Sequence, residues 1–215
     1  MSIKSKILAG ATALSVIGGL GVAATGNANA VTPPCGSTCR AYFTEGLGPG
    51  AVLDVWKRTA EVGQKIILWT PSNNDPAEDF SYYRQGTVAD FYALGLVPAA
   101  LALHYSYDFA FELEYTPYGR PTGLCVAVGP EAANLTQVTL QNCGMANRAI
   151  WVKDSADAQG PFMPLINGSN TNFSQPSVMT NHAGTVITYR LQRFSDGTIY
   201  DNQMWNYAVG VWPAS

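Results

Sequence analysis

Two glutamates spaced two apart are the closest approach in this chain to a catalytic pair. Glu112 and Glu114 lie in Phe109-Ala-Phe-Glu-Leu-Glu-Tyr115, where apolar and polar residues alternate. A β-strand would put both on one face. Neighbours on one strand face stand about 7 Å apart by rise alone, inside the range of about 5–10 Å between the two carboxyls of a glycosidase. The same pattern marks an ordinary solvated strand face, and that reading weighs more. A nucleophile with its base is harder to find. His104 sits in an apolar, aromatic run and His182 in the turn-like Asn181-His-Ala-Gly184, and no serine lies in a Gly-x-Ser-x-Gly elbow. Phosphate loops, calcium loops and zinc helix motifs do not occur. The expectation is a protein without a catalytic residue, metal or cofactor, hence not an enzyme, with a weak glycoside hydrolase alternative resting on Glu112 and Glu114.

The cysteines have a plainer chemistry. Cys35, Cys39, Cys125 and Cys143 are the four in the chain. An even count in an exported protein implies disulfides. Four cysteines allow three pairings. Proximity in sequence and the repeats described below favour Cys35–Cys39 and Cys125–Cys143. A metal site would need more partners than the two histidines provide, in a compartment that is not oxidising.

Export is written at the start of the chain. Lys4 and Lys6 precede an apolar stretch from Ile7 to about Val22, and Ala28-Asn-Ala30 offers small residues where a signal peptidase reads. Residues 1–30 therefore read as a signal peptide, and residues 31–215 as a secreted protein. Removing Lys4 and Lys6 from 12 basic residues leaves 10 against 15 acidic ones, a net charge of −5. Such a chain is not drawn to nucleic acid or to anionic membranes. Its longest later apolar stretch, Tyr92 to Leu103, is too short to span a bilayer and contains Pro98. The partners expected are a carbohydrate or an extracellular protein, with no nucleic acid and no stable membrane insertion.

The elements that would position any site are mostly strands. With 13% charged and 11% aromatic residues the chain is built to fold, and glycine and proline spread along it suit short strands joined by turns. The segment 86–103 is the one helix candidate. Pro98 interrupts it, so it reads as strand and loop. Three stretches then repeat one order of strands. The first runs through Val52–Trp56, Ile66–Trp69 and Asp79–Tyr82. The second runs through Leu124–Val128, Val138–Gln141 and Arg148–Trp151. The third, looser, runs through Ser177–Met179, Ile187–Tyr189 and Asn202–Trp205. One such unit cannot bury its own apolar face, so three must close on each other. The layout expected is an N-terminal segment 31–39 with a short disulfide loop, then a single all-β domain over 40–215.

On these residues the chain resembles the ricin B-type lectins. The likeness rests on Leu53-Asp-Val55 with Ile66–Trp69, on Leu124-Cys-Val126 with Leu140-Gln-Asn-Cys143, and on Gln203-Met-Trp205, which matches the family's Gln-x-Trp signature. The other two signature positions read Phe80-Ser-Tyr82 and Ala149-Ile-Trp151. The resemblance implies a β-trefoil, and the Cys125/Cys143 spacing matches the family's bond within one repeat. It also implies a sugar site made of an Asp acceptor on the second strand, an aromatic plate after the third, and Asn or Gln to complete the contacts. The first unit keeps Asp54 and Trp69, with Asn73, Asn74 and Asp79 nearby. The plainer reading makes Asp54 a turn-capping or surface carboxylate and Trp69 a core aromatic. The second unit has Ala127 and Gln141 at these places and should bind nothing. The third offers Tyr189, Asn202 and Gln203 as a secondary candidate without the Asp. Segment 86–108 is longer than a trefoil connection needs, and an exposed apolar loop at Leu94–Leu103 would fit a protein-binding or inhibitor trefoil instead. The chain is also similar to small secreted actinobacterial proteins of unassigned activity, as in Phe162–Gly168.

Overall fold

The computed structural model describes residues 40–44, 51–70, 72, 75–129, 135–145, 148–154, 159–165 and 176–209. Residues 1–30, expected from sequence to be a signal peptide, Cys35 and Cys39, and the candidates Asn73 and Asn74 lie outside the described residues. Thirteen strands are described, and twelve fall into three sets of four. The first set is β1 (Arg40–Thr44), β2 (Val52–Val55), β3 (Ile66–Trp69) and β4 (Phe80–Thr87). The second is β5 (Phe109–Tyr115), β6 (Leu124–Ala127), β8 (Thr139–Asn142) and β9 (Ile150–Lys153), with the extra two-residue β7 (Thr136–Gln137) before β8. The third is β10 (Met163–Pro164), β11 (Ser177–His182), β12 (Thr185–Arg190) and β13 (Trp205–Val209).

The outer strands of each set make a ring. β1 pairs with β4, β4 with β5, β5 with β9, and β9 with β10. Gly160, just before β10, bridges Trp205 through two backbone hydrogen bonds of 3.0 Å, and β13 returns to β1. The result is a closed six-stranded barrel without a free edge. The middle strands form three hairpins, β2–β3, β6–β8 and β11–β12. These hairpins meet one another through Thr185↔Ile67, Lys65↔Thr139 and Ile187↔Gln137. Where they converge, the Gln137 side-chain nitrogen reaches one carbonyl oxygen of each set: Ile66 at 3.0 Å, Val138 at 3.1 Å and Val186 at 2.8 Å. A closed barrel capped by three hairpins about a pseudo-threefold axis is the β-trefoil.

Aromatic rings from all three sets fill the barrel, among them Phe80, Phe111, Trp151, Phe162 and Trp205. Phe111 meets Phe162 edge-on at 5.0 Å, and Phe162 stacks on Trp205 at 5.9 Å. The two indoles are buried with their polar atoms satisfied: Trp151 Nε1 donates to the Val126 carbonyl at 2.7 Å and Trp205 Nε1 to that of Met179 at 2.8 Å.

Two expectations are corrected. Segment 86–103, read as strand and loop, is mostly helical. β4 runs to Thr87, and two short helices follow, α1 (Val88–Ala93) and α2 (Ala99–Tyr105). Thr87 and Asp90 form a reciprocal capping box that starts α1. Pro98 breaks nothing. It precedes α2 as its N-terminal cap, where a missing N–H costs little. The pair buries Val88, Phe91 and Leu101 against Ala110, Ile150 and Val152 on the outside of the barrel.

The second correction concerns the glutamates of β5. Their face is not solvated, since Glu112 and Glu114 are both buried. Glu114 Oε1 accepts the Gly123 N–H at 2.7 Å, and Glu112 Oε1 accepts the Gly144 N–H at 2.9 Å. Glu112 Oε2 also pairs with Arg84 at 3.2 Å. Both glycines hold φ at 71°, which L side chains rarely adopt and which turns their N–H groups onto the carboxylates. They flank the β6–β8 hairpin, which the Cys125–Cys143 disulfide also closes, with Cα atoms 4.9 Å apart. The alternation in β5 is thus covered twice, by the core inside and by this hairpin outside.

Candidate functional site

The candidate site lies on the outer face of the first hairpin. In β2, Leu53 and Val55 point into the core, so Asp54 points away from it. The register sets Val52 against Trp69 and Asp54 against Ile67. Asp54 and Trp69 are therefore diagonal neighbours on one face, within reach of long side chains. Trp56, two residues beyond Asp54, continues that face. It opens a short 3-10 turn, Trp56–Arg58, in which Lys57 and Arg58 both take positive φ, 60° and 58°. Such a pair of non-glycine residues is uncommon, and of the kind that clusters at functional sites. The turn lays the Arg58 guanidinium on Asp75, at 2.6 Å.

The opposite wall comes from the segment before β4. Asp75 caps a second 3-10 turn, Pro76–Glu78, its Oδ1 accepting the Ala77 N–H at 3.0 Å. Glu78 accepts the Ser72 N–H with both oxygens, at 3.1 and 3.0 Å. Between the walls is a cavity of about 260 Å³ lined by Asp54, Trp56, Lys57, Arg58, Ile67, Trp69 and Asp75. Its two indoles stay open to solvent, Trp56 at 43% and Trp69 at 57% exposure, while Asp54 is only 6% exposed.

Acidic groups crowd this floor. One oxygen each of Asp54, Asp75 and Glu78 lies within 4.8 Å of the others. Burial, then the charge of Asp75, pushes the Asp54 carboxyl up to about 7 against the pull of Arg58. Burial likewise pushes Glu78 up to about 8, opposed by the Ser72 N–H and reinforced by Asp75, Asp54 and Asp79. A carboxylate here costs desolvation and repulsion, so the neutral form is favoured.

The residues singled out from the sequence divide. Asp54 and Trp69 come together in the cavity. Asp79 does not line it: its carboxylate accepts the Tyr118 N–H at 3.0 Å, and its carbonyl accepts the Thr116 N–H at 2.8 Å. In the third set, Gln203 is fully buried and braces the fold. It accepts from the Gln192 N–H at 2.7 Å and donates to Thr180 Oγ1 at 3.1 Å and to the Arg190 carbonyl at 2.9 Å. Asn202 donates to the Asn181 carbonyl at 3.0 Å, and the half-buried Tyr189 sits opposite Val178, beside the Arg190 guanidinium. None of these three, nor Glu112 or Glu114, lines the first-unit cavity.

Sequence reasoning did not assign Trp56, Arg58, Asp75 or Glu78 to the site. Trp56 carried a signal, being in phase with Asp54 on one strand. Glu78 was hidden by an offset of two. Trp205 follows the 3-10 turn Asp201–Gln203, and Phe80 follows Pro76–Glu78 in the same way. The first set's counterpart of Gln203-Met-Trp205 is therefore Glu78-Asp-Phe80, not Phe80-Ser-Tyr82. Glu78 holds Ser72 after β3 as Gln203 holds Gln192 after β12.

No family model matches this chain, and no curated protein matches it. Among solved structures the chain is similar to ThreeFoil, a designed threefold-symmetric protein, at 15% identity and a TM-score of 0.49, covering 78% of this chain and 96% of that one. It is similar also to the Polyporus squamosus lectin, solved bound to a human-type influenza-binding epitope, at 10% identity and a TM-score of 0.47. That match covers 80% of this chain and 49% of the lectin, so the chain spans about half the lectin's length. The fold itself stands on the strand pairings of this chain, a β-trefoil of three unlike units of which the first carries the cavity.

Proposed function

We propose that this protein is a secreted, non-catalytic carbohydrate-binding module with one site, in its first unit. A single observation carries the reading: the Asp54 carboxyl lies in one cavity with two solvent-open indoles, Trp56 and Trp69. A sugar ring has an apolar face that stacks on an aromatic plate and hydroxyls that need a fixed acceptor. The cavity offers both, and Lys57 and Arg58 add donors at its rim. At about 260 Å³ it falls just below the range of about 300–1,000 Å³ for drug-sized ligands, which suits a single ring. Glu112 and Glu114 anchor a hairpin, which supports binding over hydrolysis. Export is supported by residues 1–30 and by the Cys125–Cys143 disulfide. Among the described residues no helix is long and apolar enough to cross a membrane.

The test is a glycan-array screen of the secreted protein beside Asp54→Asn. Binding to one class of glycan, lost in the folded variant, supports the module and places its acceptor. Absence of binding to every glycan on the array removes the sugar reading for that set.

A second reading, binding of an extracellular protein, is favoured by one feature. The helical insertion exposes Tyr92 in α1, Leu103 in α2, and Leu94 and Tyr107 in the turns that follow them, an apolar set on two helices and their ends rather than on the loop expected from sequence. Capture of one protein from culture medium, abolished by Leu103→Glu and retained by Asp54→Asn, would favour it.

A further inference from the structure

We infer that Asp54, Asp75 and Glu78 form a binding site for one divalent cation of the calcium class, at the floor of the first-unit cavity. The donors are three carboxylates, one oxygen from each lying within 4.8 Å of the other two. A calcium-sized ion sits about 2.3–2.6 Å from its oxygen ligands, so oxygens on one ion can stand up to about 5 Å apart. The three fit on one ion, and an all-oxygen set selects a hard cation. Charge balance points the same way. One guanidinium, Arg58, pairs with Asp75 at 2.6 Å, while Asp54 and Glu78 are both more than nine-tenths buried. Buried carboxylates are paired or bind metals.

Among the described residues, two further groups in this region lack a partner. The Asp54 carboxylate has no hydrogen-bond donor among the described residues, although it opens onto the cavity. From the barrel side, Tyr115 is fully buried and its hydroxyl has no hydrogen-bond partner. Tyr115 lies opposite Phe80, itself two residues beyond Glu78, in the β4–β5 register. A cation on the three carboxylates would give Asp54 the positive partner it lacks. The remaining coordination positions would open toward the two indoles, where water or a ligand hydroxyl can fill them.

The test uses terbium(III), a calcium-sized luminescent ion, on the secreted protein without any glycan, at a pH of about 7, where the ion stays in solution and its binding displaces any protons the carboxylates hold. Trp56 and Trp69 line the same cavity, so excitation through tryptophan should give saturable terbium emission that calcium chloride displaces. Asp54→Asn and Glu78→Gln should each weaken it at least tenfold, while Asp196→Asn, in a remote exposed turn, leaves it unchanged. Glu78→Gln is expected to fold, because Gln203 fills the equivalent place in the third unit. Near-ultraviolet circular dichroism checks both variants. Absence of saturable emission from the folded wild type overturns the inference, as does emission that both folded variants keep at wild-type affinity. The site shares Asp54 with the proposed sugar cavity, but no sugar enters the assay. Failure here and failure on the glycan array are therefore separate results.

Discussion

Replacing Trp69 with alanine is the sharpest test of the sugar reading, because its size can be worked from the structure. Trp69 is 57% exposed. On a side chain of about 250 Å² this leaves about 140 Å² open to water. A sugar ring stacked on the indole would cover about half of that, roughly 70 Å², worth about 1.8 kcal/mol at about 25 cal/mol per Å². The affinity of Trp69→Ala should then fall about twentyfold. Stability should fall by at most about 3 kcal/mol, because the remaining part of the side chain, about 110 Å², is covered in the folded protein. Calorimetric titration with the best glycan from the array measures the first quantity, and chemical denaturation the second. A folded variant that binds within twofold of wild type would refute the stacking argument. A variant that loses clearly more than about 3 kcal/mol of stability would show that Trp69 packs more than it binds.

Three other perturbations have definite outcomes. Asp54 and Glu78 have folded-state values of about 7 and about 8, above the usual carboxylate range, so the folded state holds more protons than the unfolded chain between about pH 4 and pH 8. Stability without added cation should fall as pH rises through that window, and a melting temperature that climbs from pH 5 to pH 9 would contradict it. Gln203→Ala removes the acceptor of the Gln192 N–H and the donor to the Thr180 hydroxyl and the Arg190 carbonyl. It should cost about 3 kcal/mol in urea unfolding while leaving glycan affinity unchanged, and a matching loss of affinity would place the third unit in the site. Converting Cys125 and Cys143 to serine opens a loop of separation 18, and should lower stability by about 3 kcal/mol on the chain-entropy model. A loss under 1 kcal/mol by denaturation would mean that the Glu112 and Glu114 anchors already fix that hairpin.

Much of the fold was legible because strand signals are local. The second, third and fourth strands of each unit stand where the apolar runs put them, and the Cys125–Cys143 bond follows the repeat. The helical insertion was misread through Pro98, since proline stops a helix from within but starts one from its cap. The position is identical in sequence, and only its place relative to α2 differs. The offset in the first signature arose from side chains as well. Glu78 and Phe80 do the work of Gln203 and Trp205, bracing a loop and filling the barrel, with different residue types.

By itself the sequence determined the strand content and the threefold repetition, because these follow from spacing along the chain, and one disulfide through proximity and the repeat; the pairing of Asp54 with Trp69 came from the resemblance to the ricin B-type lectins. Tertiary structure alone decided the rest of the site. Asp75 and Glu78 lie more than twenty positions from Asp54, and only closure of the first unit brings their oxygens within 4.8 Å. It also decided the character of the carboxylates. Glu112 and Glu114 became hairpin anchors and Asp54 a carboxyl titrating near neutrality, because burial and neighbouring charge belong to the folded surroundings rather than to the residue.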